Sequence, residues 1–489
     1  MNRSLSLIPA TLIALLALIP WATWLPAGRA EEKKGEPADI AGEWDSTWGL
    51  ATLQTKPIKG TKIVSVTGSY SAAPKEIGFI KAGTFDPATG VLEFNFEEPF
   101  RGDVHGKGRM KLAADGNHFK GTYDQPGEHG EWNMTRVRGH DFDSAMDFIF
   151  ADADKQKDAP GAAVLAIDHG KVVFEKCYGL ANLKDKEPIR PRTTFELASV
   201  TKQFTGAAVL RLYEQGKLEL DDDVRKYLPE LPEFAPKNPI RILNLARHTS
   251  GLREYMAFPD VKGKNPAFLS NEDYVGEFAR QRKKFPPYFP NGTNNRYTNT
   301  NYLLLALIVE RVSKQSFGAF MKSEFFDPLG MKSATVYENQ RVKPKEPALG
   351  YSKDKGAFEE AWGPPPFRQE TLLTVGDGGL WASLNDMAQW DEGWRKGKIL
   401  KAKTIKEALV PSKFGKDQTN DYAFGWGLTM KDGKLAVQSH NGGWGGFATY
   451  IERNIADDRT LVILSNGGDL DSDAVISLWR RTPPKGKQP

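Results

Sequence analysis

Between about Ile40 and Val137 apolar residues recur at every second position, and beyond about Phe142 they recur at helical spacing. A chain that changes period in this way builds two cores, a β domain first and a mixed domain after it. In the first stretch Leu92, Phe94 and Phe96 alternate with Glu93 and Asn95, and Met110 and Leu112 flank Lys111. Turn signals at Pro87-Ala88-Thr89-Gly90, Asp115-Gly116 and Gln125-Pro126-Gly127 break the runs into short strands. The spacing predicts a small all-β barrel or sandwich over residues 38–138. Its aromatic residues Trp44, Trp48, Phe85, Phe94, Phe96, Tyr123 and Trp132 are expected to fill the core rather than line a ligand cup.

A second domain is predicted over 141–482, opened by a helix carrying Phe142, Met146 and Ile149. Strands follow at Ala162–Asp168 and Lys171–Tyr178 around His169-Gly170, then helices at 202–214 and 301–312. Strands at 422–430 and 434–439 flank the hairpin signal Asp432-Gly433. Two more at 447–453 and 460–464, and a helix near 474–480, close the domain, leaving 483–489 as a disordered tail. Strands at both ends with helices between them make an α+β domain, one antiparallel sheet packed by a helical lobe.

Residues 4–28 carry no charge, follow Arg3, and run into Gly28-Arg29-Ala30. This reads as a secretory signal over 1–30 cleaved after Ala30, with an uncleaved membrane anchor as the rival reading. Pro9, Pro20 and Pro26 interrupt the stretch and favour cleavage, so the mature chain is expected to be exported, to the periplasm, the cell envelope or the medium, with no stable membrane span. A formal net charge of +4 over 489 residues, with no long like-charge run, points away from nucleic acid. Cys177 is the single cysteine, which forbids an intramolecular disulfide and reads as a small apolar residue in a strand. His105, His118, His129, His140 and His169 lack ligand spacing, so neither a metal nor an organic cofactor is expected.

Chemistry concentrates in three short motifs in a fixed order. Ser199-Val200-Thr201-Lys202 follows Thr194-Phe195-Glu196-Leu197-Ala198 and opens an apolar helical segment. A serine there sits at a helix N-terminus, and a lysine three residues on returns to the same face within reach of its hydroxyl. A desolvated lysine loses its preference for the charged form and can exchange a proton with a nucleophile. Tyr297-Thr298-Asn299 follows the turn Pro290-Asn291-Gly292 and precedes a second apolar helix, while His440-Asn441-Gly442-Gly443 follows one strand and leads into another. Each motif has a copy in a poorer setting. Ser352-Lys353-Asp354-Lys355 reads as a loop, and Tyr337-Glu338-Asn339 and Lys431-Asp432-Gly433 lack the flanking helix or glycines.

With Arg247-His248-Thr249-Ser250-Gly251-Leu252, Gly378-Gly379-Leu380-Trp381-Ala382-Ser383 and Gly442-Gly443-Trp444-Gly445-Gly446-Phe447, these motifs make 159–479 resemble the serine hydrolases of the class C β-lactamase and low-molecular-mass penicillin-binding protein family. The resemblance implies that Ser199 forms an acyl-enzyme, that Lys202 and Tyr297 move its proton as a coupled pair, and that the N–H groups of Ser199 and Gly443 hold the oxyanion. It assigns Asn299, Asn441 and Gly442 to substrate binding, His440 to electrostatics, and His248 to structure. Family β-lactamases usually carry lysine where this chain has His440, and a neutral histidine offers less charge to a β-lactam carboxylate. The expected activity is therefore that of a D-amino-acid peptidase (carboxypeptidase or aminopeptidase type) or a small-ester esterase. A β-lactamase is the first alternative, and a catalytically silent binder of envelope peptides or glycans the second. Its partner is a small molecule or peptide, cell-wall peptides included. Trp444 and Trp362 stand beside the expected cleft, whose walls fall to 253–295 and 340–375.

Overall fold

The computed structural model describes residues 40–480, except 74–75, 103, 115, 137–141, 144–145, 147–149, 151–157, 259–260, 262–268, 339–342, 355–356, 362–372, 416–417, 469–474 and 477–478. The expected signal segment, the C-terminal tail and Trp362 lie outside the described residues, as do Asp115, His140, Ile149, Asn339 and Ala474.

The period-two stretch folds as an up-and-down meander through Gly42–Ser46, Gly49–Pro57, Val64–Ala73, Glu76–Asp86, Val91–Glu98, Val104–Leu112 and His118–Gln125. Its last strand is interrupted, as Glu128–Glu131 and then Met134–Arg136. Met134–Arg136 pairs both with the strand before it and with the first strand, in the register Trp44↔Arg136 and Ser46↔Met134. That double pairing closes the ring, so the domain is a barrel and not a sandwich. Along Val91–Glu98 the residues Leu92, Phe94, Phe96 and Glu98 point inward. Trp48 stacks on Trp132 at 4.7 Å, and Phe94 and Phe96 meet Trp132 edge-on at 5.1 and 5.2 Å. Rings thus fill the interior, and a Cβ at Gly106 or Gly108 would lie 2.2 Å from the ring of Phe96 or Phe94. The one carboxylate among these inward positions, Glu98, accepts hydrogen bonds from Tyr70 at 3.0 Å and Arg101 at 3.2 Å.

The second domain is built on a seven-stranded antiparallel sheet in the order Lys171–Tyr178, Ala162–Asp168, Arg459–Ser465, Phe447–Asn454, Lys434–Trp444, Trp426–Lys431, Tyr422–Ala423. Alternation gives it two buried faces. Ala163, Leu165 and Ile167 join the core of the helical lobe, whereas Ala162, Val164 and Ala166 join a second core with Phe142, Met146, Val475 and Trp479. The helical lobe is centred on Thr201–Glu214 and Asn299–Ser313, both buried on nearly every side through most of their length. Between layers, Arg453 at 2.9 Å and Thr460 at 2.7 Å both donate to Oδ1 of the buried Asp391, whose Oδ2 has no hydrogen-bond partner. Cys177 is half-buried in its strand, and burial pushes its thiol up to about 12. Among the described residues no helix is long and apolar enough to cross a membrane.

Two local expectations are corrected. Tyr351–Asp354, expected as a loop, is a strand paired with Ala357–Glu360. The His440 motif does not connect two strands: Lys434–Trp444 is one strand whose pairing with Phe447–Asn454 continues to Trp444↔Phe447, so the turn falls at Gly445-Gly446. Both turn glycines have positive φ, 53° and 80°, which places the reversal where two consecutive residues tolerate it.

Candidate active site

The chain reaches Ser199 through a backbone held from three sides. Thr194–Glu196 pairs with Leu380–Ser383, the Leu197 N–H donates to Leu380 O at 2.9 Å, and Thr449 Oγ1 donates to Leu197 O at 2.7 Å. Ala198 then adopts φ +48°, a left-handed conformation that costs a residue with a Cβ about 1 kcal/mol or more. The carboxylate of Glu196 holds that bend, accepting the Ala198 N–H at 2.8 Å and the Gly379 N–H at 2.7 Å. A 3-10 turn over Ala198–Val200 follows and carries Ser199 to the wall of a cleft, immediately ahead of the Thr201–Glu214 helix.

Lys202, one residue into that helix, is fully buried. Its Nζ lies 2.9 Å from Ser199 Oγ, 2.9 Å from Asn299 Oδ1 and 2.7 Å from the backbone oxygen of Asp377. The two carbonyl oxygens can only accept, whereas the serine hydroxyl can accept or donate. A neutral amine therefore directs its two N–H groups at Asn299 and Asp377 and its lone pair at Ser199. Burial lowers the Lys202 ammonium to about 8, against the raising influence of Asp377, Glu254 and Glu196. Those three carboxyls are themselves pushed up by burial, Glu196 to about 7. Glu254 anchors the next motif, accepting the Asn299 N–H at 2.9 Å and the Thr298 hydroxyl at 3.3 Å.

The Tyr297 ring sits 5.0 Å from Lys202 Nζ, and its hydroxyl shares a hydrogen bond with Ser199. Although Tyr297 is 46% exposed as a whole, its phenol end is buried enough to sit above the ordinary phenol range. His248 packs beneath it, ring centroids 4.4 Å apart, with Nδ1 accepting from Asn301 Nδ2 at 3.0 Å. His440 is buried 6.1 Å from Tyr297, and both its nitrogens are engaged. The Asn441 carbonyl 2.5 Å from Nδ1 can only accept, so this nitrogen carries the proton and Nε2 accepts from the Tyr422 hydroxyl at 2.8 Å. Burial and the Lys202 charge hold the imidazolium down to about 3, so His440 is neutral.

Register explains the glycine edge. Pairing with Trp426–Lys431 ends at Gly427↔Ser439, which leaves residues from His440 to Trp444 paired on one side only. The free side meets the Ser199 turn: a Cβ at Gly442 would lie 2.6 Å from Leu197 O and 3.0 Å from Ser199 N. A Cβ at Gly443 would meet nothing within 4 Å, and Gly443 lines the cleft together with Ser199.

Of the residues singled out in the sequence, Ser199, Lys202, Tyr297, Asn299 and Gly443 converge, and Trp444 lines the cleft beside them. Asn441 is exposed and Gly442 buried, and neither is among the residues that line the cleft. Sequence reasoning missed Glu196, Glu254, Tyr255, Asp377 and Tyr422, and passed over Tyr337, which lines the cleft. A signal existed for two of them: Glu196 interrupts the apolar run Phe195-Glu196-Leu197, and Asp377 stands between Gly376 and Gly378.

Residues 146–481 match the family model described as Beta-lactamase. Penicillin-binding protein 4* of Bacillus subtilis (strain 168) is 32% identical over 312 residues, covering 62% of this chain and 67% of that protein. D-aminopeptidase of Gluconobacter oxydans (strain 621H) is 30% identical over 312 residues, 62% of this chain but only 55% of its own length. An octameric penicillin-binding protein homologue from Pyrococcus abyssi superposes with a TM-score of 0.57 at 27% identity, over 71% of this chain and 78% of that one.

Proposed function

This chain belongs to the Beta-lactamase family and is a serine hydrolase, and on that premise we propose that it cleaves an amide or ester bond through an acyl-enzyme on Ser199, as a D-amino-acid peptidase or small-ester hydrolase. The observation that carries this reading is the lysine whose two remaining partners are carbonyl oxygens, so that its lone pair falls on Ser199. In the proposed cycle neutral Lys202 takes the hydroxyl proton while Oγ bonds to the substrate carbonyl carbon. The N–H groups of Ser199 and Gly443 receive the oxyanion, each such donor being worth about 10²–10³ in rate. As the carbonyl reforms, the C–N or C–O bond breaks and the leaving atom takes a proton delivered through Tyr297. Water then attacks the ester, losing its proton to the same pair, and Ser199 departs with a proton restored. Because the phenol is held above its ordinary range, Tyr297 serves here as a protonated relay and not as a standing phenolate.

The relative named D-aminopeptidase supports the D-amino-acid side of the proposal. The neutral, fully hydrogen-bonded His440 argues against β-lactam carboxylate capture. We also propose that residues 1–30 direct export, on their uncharged stretch and small-residue exit. The test is fluorophosphonate labelling read by intact mass, with turnover of a D-aminoacyl amide, a D-Ala-D-Ala peptide, nitrophenyl esters and a chromogenic cephalosporin. One adduct that disappears in Ser199→Ala supports the reading, and full turnover by Ser199→Ala would refute it.

A further inference from the structure

Asp377 has two distinct attachments to the site. Its backbone oxygen accepts from Lys202 Nζ at 2.7 Å, and its side chain lines the cleft beside Tyr255 and Thr374 while 9% exposed. Oδ2 accepts the Tyr255 hydroxyl at 3.1 Å, a hydroxyl that also lies 3.2 Å from Thr374 Oγ1. Oδ1 is buried with no hydrogen-bond partner of good geometry, although the N–H groups of Asp377 and Gly378 lie close enough to favour the charged carboxylate. Lys202 does not supply a partner, since its three contacts go to Ser199, Asn299 and a backbone oxygen. A buried acceptor left unsatisfied carries a desolvation cost that a donating ligand would remove.

Charge on the walls points the same way. Among the described residues lining the cleft none is basic, and Glu196 adds a second carboxyl. The nearest cation, Lys202, is fully buried and engaged by Ser199, Asn299 and the Asp377 backbone oxygen, and His440 is neutral. An anion entering here would meet carboxylates without a compensating arginine, whereas an ammonium would find an unpaired carboxylate oxygen and, around it, the aromatic walls of Tyr337, Trp381 and Trp444.

We propose that Asp377 Oδ1 receives the free ammonium group of the substrate's acyl portion, so that this hydrolase acts on amides or esters of unblocked amino acids and not on N-acylated substrates with a free carboxylate. The inference rests on the acyl-enzyme reading above and narrows it to the aminopeptidase type. Lys202 and Asp377 then divide one residue between two tasks: the main chain of Asp377 orients the base, and its side chain selects the substrate.

The experiment measures inhibition of p-nitrophenyl acetate hydrolysis by D-alaninamide, L-alaninamide and their N-acetyl derivatives. It also compares kcat/KM for D-alanine p-nitroanilide with that of the N-acetylated compound, in wild type, Asp377→Asn and Asp377→Glu. The expected result is at least tenfold preference for the free amine in wild type. That ratio collapses toward one in Asp377→Asn through KM and is partly restored in Asp377→Glu. Equal or better binding of N-acetyl compounds by wild type overturns the inference, and it does so without a variant if Asp377→Asn fails to fold. A loss in Asp377→Asn equal for both compounds also overturns it, marking Asp377 as a counter-charge to Lys202 alone. Absence of fluorophosphonate labelling and of ester hydrolysis in wild type would instead refute the underlying acyl-enzyme reading.

Discussion

Glu196 accepts the N–H of Ala198 at 2.8 Å, one residue before the nucleophile, and so fastens a bend that alanine adopts only at a cost. Its second oxygen holds Gly379, tying the bend to the neighbouring segment of the cleft wall. In Glu196→Gln one of these N–H groups faces an NH₂ instead of an acceptor. We expect kcat to fall about 10²-fold with KM changed little, and urea unfolding to show a loss of about 1–3 kcal/mol. An unchanged kcat would mean that the bend holds itself.

Activity should rise with pH. The competent form has neutral Lys202, and burial lowers that ammonium to about 8, so below this value each pH unit removes most of the remaining base. For p-nitrophenyl acetate, which does not titrate, kcat/KM should climb about tenfold per unit to near pH 8 and then level off. Glu196 at about 7 titrates on the same slope and would steepen it. A profile falling between pH 6 and 8 would exclude lysine as the base.

The helix carrying Lys202 passes so close to the turn between Tyr422–Ala423 and Trp426–Lys431 that a Cβ at Gly206 would lie 2.0 Å from Phe424 O. Backbone cannot yield as a side-chain tip does. Gly206→Ala is expected to cost about 2 kcal/mol or more and to lower kcat by displacing Lys202, measured by denaturant melts and ester kinetics. Recovery of full kcat in the folded fraction would show that the helix tolerates the shift.

Replacing His440 by lysine would not produce a β-lactamase. The new ammonium would be buried among Tyr422 and Tyr297 and would repel Lys202, whose charge already holds His440 down. His440→Lys should therefore destabilise the fold by about 2 kcal/mol or more and move the midpoint of the pH–rate profile below about 8. Both changes are read from one protein preparation by melts and kinetics, and cephalosporin turnover should not increase.

The alternation around Phe94 and the change of spacing at Phe142 made separate hydrophobic cores legible in the chain, because each reports a face that must be buried. Ser199, Lys202, Tyr297 and Asn299 were legible for a different reason: each pair is close in sequence and opens a helix. Glu254, Asp377 and Tyr422 were hidden because they meet the motifs only through the tertiary fold, Glu254 at Asn299, Asp377 at Lys202 and Tyr422 at His440. His440 was read from the sequence as a neutral histidine, but the cause of its neutrality, burial and the neighbouring Lys202 charge, comes only from the tertiary fold.

Closure of the N-terminal ring has a consequence for how that domain can meet other molecules. A closed circuit of paired strands presents almost no backbone donors or acceptors sideways, so a partner cannot join it as an additional strand. Glu128–Glu131 pairs with His118–Gln125 alone, and Glu128, His129 and Glu131 on it are exposed. Outside that one short free edge, recognition by this domain is written in side chains. Its short acidic rim also guards the barrel against sticking to its own copies through strand edges.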